Sequence, residues 1–131
     1  MILIKTKIGP SKIHGTGLFA EQFIPKGTVT WKYDPMFDTG FTQNDIEQMS
    51  EPARKIFLWY AYYDFEQDKY ILCFDDQRFI NHSKNNFNIK STPKMDIAVK
   101  DIKSGEELLC NYNKFDKEYW KRHGIDESTL N

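Results

Sequence analysis

The chain has 131 residues, 40% of them apolar and 15% aromatic, with 18 lysines and arginines against 19 acids and a net charge near −1. That length fits one domain with a modest core and leaves no room for a second catalytic module. The charge balance argues against direct nucleic-acid binding, which calls for a basic excess; it says little about a basic peptide partner, which a local acidic patch can still attract.

Ile2, Ile4 and Ile8 alternate with polar positions, which predicts a half-buried first strand. Gly15-x-Gly17 follows, a pattern that alone reads as a turn between strands. It is not a dinucleotide fingerprint, because the third glycine and a following helix are missing. Pro25-Lys26-Gly27 marks a turn, and Val29, Trp31 and Tyr33 alternate along a second strand that ends at Asp34-Pro35. From Thr42 to about Phe65 the pattern is helical. Thr42 with Asp45 and Ser50-Glu51-Pro52 are two start signals, and Ile56, Tyr60 and Tyr63 share one stripe. Tyr70 to Phe74 and Met95 to Val99 are short β-favouring runs, Lys103-Ser104-Gly105 is a turn, and Leu108 to Tyr112 is a fifth strand. A last helix spans Lys117 to His123 and stops at Gly124. The fold class is mainly β, with short strands in small sheets, one helical insert and one terminal helix.

Cys73 and Cys110 lack the spacing of a cysteine-rich zinc cluster, so no metal is expected. The start, Met1 to Lys5, is too short and too soon charged for a signal peptide, and no apolar run reaches membrane-spanning length. The expectation is a soluble intracellular protein with free thiols, in cytoplasm or nucleus, with secretion into a host left open and no membrane partner. Monomer and homodimer both stay open.

Three segments carry the chemistry: His14-Gly15-Thr16-Gly17-Leu18-Phe19, Arg78-Phe79-Ile80-Asn81-His82-Ser83, and Gly105-Glu106-Glu107-Leu108-Leu109-Cys110-Asn111-Tyr112. Burying an Asn-His-Ser run after two apolar residues is costly unless each polar group finds a partner. In that order the three resemble the signature motifs of SET-domain protein lysine methyltransferases. The resemblance implies a single such domain over residues 1–131, with core motifs over 8–115, a helical insert over about 42–66 and a channel-closing segment over 116–131. It implies a fold of small curved sheets in which the C-terminal stretch threads under a loop as a pseudoknot, an unusual crossing. It also implies S-adenosyl-L-methionine as cofactor and a lysine-bearing protein or peptide, histone among the candidates, as substrate.

By the same resemblance Tyr112 is the catalytic tyrosine. Lys12, His14, Gly15, Thr16, Gly17, Leu18, Asn81, His82, Tyr112 and Trp120 would hold the cofactor, and Tyr60, Tyr63, Cys110 and Phe115 would line the substrate channel. Cys110 stands where relatives usually carry Phe or Tyr; a small side chain there leaves room for higher methylation states. The sequence departs from the family pattern after Ser83. The proline is absent, and the expected asparagine is either replaced by Phe87 or shifted to Asn88. The residues suit the chemistry. An amine of pKa about 10.4 must lose its proton at a cost of roughly 4–5 kcal/mol at neutral pH, and an aromatic, desolvated channel lowers that cost. A phenol of pKa about 10 would orient the amine rather than act as a strong base. Two other readings are a module that keeps the fold but only binds peptide or cofactor, and a β-rich interaction protein without a site.

Overall fold

The computed structural model describes residues 1–129. In chain order they form β1 (Thr6–Pro10), β2 (Thr16–Ala20), β3 (Val29–Lys32), β4 (Asp38–Phe41), α1 (Gln43–Glu47), α2 (Glu51–Tyr60), β5 (Tyr62–Asp64), β6 (Lys69–Cys73), β7 (Asn81–His82), β8 (Ile89–Ser91), β9 (Met95–Ala98), β10 (Leu109–Cys110) and α3 (Tyr119–Arg122). Three small sheets result, ordered β1-β2, β3-β9-β8-β10-β7 and β4-β6-β5.

The first strand begins later than the isoleucine alternation predicts. Ile2 makes only an isolated bridge to Trp31, and Ile8 on β1 is 45% exposed. A two-stranded ribbon has no sheet to cover that face. The core lies instead under the next elements: Leu18, Ala20, Ile24, Ile89, Ala98, Ile102, Leu108 and Cys110 form one buried cluster. Each large aliphatic side chain buried there contributes roughly 1.5–3 kcal/mol.

The helical region starts as predicted and ends early. Thr42 and Asp45 cap each other reciprocally, through Asp45 N–H to the Thr42 hydroxyl at 3.1 Å and Thr42 N–H to the Asp45 carboxylate at 2.8 Å. Ser50 caps α2, accepting from Ala53 N–H. The helix stops at Tyr60, so the predicted insert to about residue 66 is too long. Tyr62 and Tyr63 pair with Ile71 and Tyr70 as a strand instead, the extended form that suits adjacent aromatics. The predicted stripe falls with it. Ile56 is 63% exposed, and Phe57 is the buried anchor, packing edge-on to Phe41. Near the C-terminus α3 is one turn long, and Gly124 N–H and Ile125 N–H return to the carbonyls of Lys121 and Trp120.

The element that positions the site is β10. It lies between β7 and β8 and runs parallel to both. Since residues 83–88 join β7 to β8, the C-terminal segment passes through the gap that loop spans. Asn88 holds the crossing. Its amide nitrogen donates to Glu107 O at 2.9 Å and its amide oxygen accepts from Leu109 N–H at 2.8 Å. The backbone adds Ser83 N–H to Cys110 O and Asn88 N–H to Leu109 O, and the Asn111 amide donates to Lys84 O. Of the two positions considered, Asn88 and not Phe87 bonds the crossing strand through its side chain.

Candidate active site

Tyr112 follows β10 and opens a 3-10 turn (Tyr112–Lys114) rather than ending a strand. Its backbone N–H donates to His82 Nδ1 at 3.1 Å, which leaves the proton of the neutral imidazole on Nε2. Its hydroxyl donates to the carbonyl of Ile80. Trp120 stacks on the phenol ring at 5.5 Å and 14°, while Tyr119, His82 and Phe115 meet it edge-on. Burial pushes the phenol well above its ordinary value, and the neighbouring Cys110 and Tyr119 act in the same direction. Tyr112 is thus a protonated donor, not a phenolate. His82 is shifted down by burial and is neutral at physiological pH; its Nε2 is buried without a partner.

Two cavities meet at this phenol. The smaller, of about 60 Å³, is lined by Trp31, Tyr60, Ala61, Tyr62, Ile80, Phe115 and Tyr119 among others. The larger, of about 310 Å³, is lined by His14, Gly15, Thr16, Phe79, Asn81, His82, Trp120 and Ile125 among others. Tyr112, Trp59, Tyr60, Arg78, Ile80 and Tyr119 border both. The larger lies within the roughly 300–1,000 Å³ range of small-molecule sites. It offers an indole face, the Arg78 guanidinium, and the carbonyls of His14 and Thr16, each of which accepts from the Asn81 amide. Gly15 adopts φ +48° on its rim with open space where a Cβ would sit. A ligand with a carboxylate, an ammonium and a flat ring finds a partner there for each group.

The structure redistributes several expected site residues. His14, Gly15, Thr16, Asn81, His82, Tyr112 and Trp120 converge on the larger cavity. Lys12 does not border it, and Leu18 is fully buried in the core with its carbonyl taken by Leu108 N–H. Gly17 also lies outside, and its need for glycine has another cause. A Cβ there would stand 2.2 Å from Glu107 Oε1. That carboxylate accepts from the Ser11 hydroxyl at 2.7 Å and from the Asn81 amide at 3.1 Å, tying the three motifs together. Around the smaller cavity, Tyr60 and Phe115 are present. Tyr63 is not: it turns outward and bonds Asp68, because successive strand residues face opposite sides. Tyr62 takes the inner place, with its hydroxyl on Pro93 O at 2.9 Å and its ring edge-on to Trp31 and Phe115. Cys110 is fully buried among core aliphatics and does not reach the cavity.

Trp59 and Arg78 border both cavities and Glu107 bonds Asn81, three places at the candidate site that sequence reasoning passed over. Trp59 packs on His14 at 5.1 Å and on His123 at 5.2 Å, closing the wall between the cavities. Its place beside the helical stripe was visible, but the helix end that turns it inward was not. No group of three metal-ligating side chains occurs among the described residues, and no helix there is long and apolar enough to cross a membrane.

A family model described as the SET domain matches residues 15–113. The chain belongs to the SET-domain family. No curated protein matches it in sequence. Among solved structures, a SET-bearing chain of an active polycomb repressive complex 2 in the basal state is 27% identical, with TM-score 0.63, over 83% of this chain and 15% of that one. The Chaetomium thermophilum complex in an autoinhibited conformation bound to S-adenosylmethionine is 24% identical, with TM-score 0.63, over 92% of this chain and 16% of that one. A Plasmodium falciparum candidate histone methyltransferase is 19% identical, with TM-score 0.61, over 85% of this chain and 95% of that one. The last two likenesses bear on the fold alone. This SET domain spans about 15% of the length of the first polycomb chain it matches. The mainly β fold with its threaded C-terminal strand is the SET fold.

Proposed function

We propose that this SET domain is a protein-lysine N-methyltransferase that uses S-adenosyl-L-methionine. The observation that carries the reading is the meeting of two cavities at the Tyr112 phenol, one polar-edged and ligand-sized, the other narrow and ringed by aromatics. The bound donor would supply an electrophilic methyl on a sulfonium. His14, Gly15, Thr16, Asn81 and Trp120 would hold it, with Arg78 beside its carboxylate and His82 fixing the Tyr112 backbone. A substrate lysine would enter through the smaller cavity between Tyr60, Tyr62 and Phe115.

In-line displacement needs alignment and a neutral amine. The aromatic walls disfavour the ammonium by desolvation, and their faces tolerate a methylated cation. Tyr112 contributes position. Its hydroxyl is held by Ile80 O at the junction, and its raised pKa keeps the proton on, so it orients and does not deprotonate. The segment 116–129 closes one side through Tyr119 and Trp120. The Arg122–Asp116 ion pair at 2.7 Å anchors it, and Asp116 also accepts from Tyr63 N–H. Histone is one candidate substrate class, by likeness to a polycomb repressive complex 2 structure, 25% identical, in complex with H3K27me3 and H3K27M.

The test is incubation of the protein with methyl-labelled donor and a cell lysate, followed by identification of labelled lysines. Label in lysine side chains supports the reading. Calorimetric binding of the donor with no transfer to any protein supports a binding-only module instead.

A further inference from the structure

Asp96 is the one charged wall of the smaller cavity that the proposed chemistry leaves unused. It lies on β9, 2% exposed, paired across the sheet with Ser91 on β8. Both residues line the cavity that Tyr112, Ile80 and Tyr62 also border. Gln77 Nε2 donates to its carboxylate at 2.5 Å, and Ser91 stands opposite it across the sheet. No ion pair reaches it among the described residues. Arg78 borders the same cavity, but its guanidinium lies 5.0 Å over the Phe79 ring. The other titratable groups lining this cavity are the Cys73 thiol and the Tyr60, Tyr62, Tyr112 and Tyr119 phenols, with the buried Cys110 thiol near Asp96 outside it. Burial raises Cys73, Cys110, Tyr62, Tyr112 and Tyr119, so these are neutral.

A desolvated carboxylate with only neutral donors is costly. Burial accordingly lifts its pKa to about 7, against the pull of Ser91 and Gln77. What the site lacks is a cation with an N–H to give. The cavity of about 60 Å³ holds about four waters, and Asp96 and Tyr112 both border it, so a guest amine there shares the space with the carboxylate.

We propose that Asp96 determines specificity in the channel: its carboxylate accepts an N–H from the substrate's amine head, so its hold weakens as methyls replace N–H groups and is lost for trimethyllysine. The inference rests on the proposed function only in placing the substrate amine in this cavity. Each methyl added replaces one N–H, and a trimethylammonium offers none. The expectation of higher methylation states rested on open space at Cys110. That cysteine leaves no open space, because it is buried in the core and Ser91 and Asp96 form the cavity wall beside it.

The probe is n-butylammonium, which reproduces the lysine side chain from Cβ outward, compared with n-butyltrimethylammonium. Binding is read by NMR of carboxyl-labelled aspartate in the wild-type protein, about one pH unit above the Asp96 midpoint, and again in Asp96→Asn. The account expects n-butylammonium to shift the Asp96 signal, to lower its midpoint, and to bind about tenfold tighter than the trimethyl probe, which is about 1.4 kcal/mol. Asp96→Asn abolishes that preference. A saturating probe that leaves the wild-type Asp96 signal unmoved overturns the inference without recourse to the variant, and so does a preference that survives Asp96→Asn. Methyl transfer to protein lysines is scored separately. Transfer without an Asp96 effect defeats this inference alone, while butylammonium selectivity without any transfer defeats the enzyme reading and leaves the cation site standing.

Discussion

Asn88→Ala tests whether one side chain holds the threaded strand. The residue is 4% exposed, and its amide makes two bonds to the crossing strand, at 2.9 Å to Glu107 O and 2.8 Å from Leu109 N–H. Truncation leaves both part-buried backbone groups without this partner. Each such group costs about 1–3 kcal/mol, so the variant loses roughly 2–6 kcal/mol. At an unfolding entropy of about 2.1 cal/mol/K per residue, a chain of 131 residues changes by roughly 0.28 kcal/mol for each degree of Tm. The expected fall in Tm is therefore roughly 7–22 °C. Calorimetric or circular-dichroism melting under reversible conditions measures it. Asn85→Ala is the control, an exposed position in the same loop, where a surface change within about 0.5 kcal/mol moves Tm by about 2 °C. An Asn88→Ala melt that matches the control would refute the role given to this side chain.

Two further outcomes follow from the same geometry. Gly17→Ala would drive a methyl against the Glu107 carboxylate, 2.2 Å away. It should cost about 1–3 kcal/mol by breaking the bonds to Ser11 and Asn81; a double-mutant cycle with Glu107→Ala should show the Gly17 penalty shrinking, and additive penalties would contradict the contact. Asp96 gives a pH signature. Its folded pKa is raised from 3.8 to about 7, so its stability contribution is fully present below about pH 4 and is lost as pH rises through 7. The loss is on the order of 4 kcal/mol, from about 1.36 kcal/mol per unit. Asp96→Asn should therefore melt higher relative to wild type as pH rises, and a Tm difference flat with pH would contradict the burial assigned to Asp96.

Much of this was legible in the chain. The Thr42–Asp45 and Ser50–Pro52 caps, the Gly124 stop and the three motifs are local signals, and local chemistry fixes them. What escaped depends on tertiary partners. Nothing near Tyr62 and Tyr63 says that the helix must give way to a strand pairing with Ile71 and Tyr70, nor which of the two rings turns inward. Gly17 reads as a ligand-approach glycine until Glu107, ninety positions on, is seen against it. Asp96 alternates within a strand like any polar residue. Only the closing of β8 and β9 around the small cavity shows that its side faces inward.

The most direct measurement of the central claim is the methyl-transfer rate of Tyr112→Phe on the lysine substrate found by lysate labelling, alongside calorimetric donor affinity. The substitution removes the hydroxyl from Ile80 O and keeps the ring that Trp120, Tyr119 and Phe115 pack against. The account predicts turnover at least about tenfold lower, or about 1.4 kcal/mol of barrier, with donor affinity within a few-fold of wild type. Unchanged turnover would contradict it.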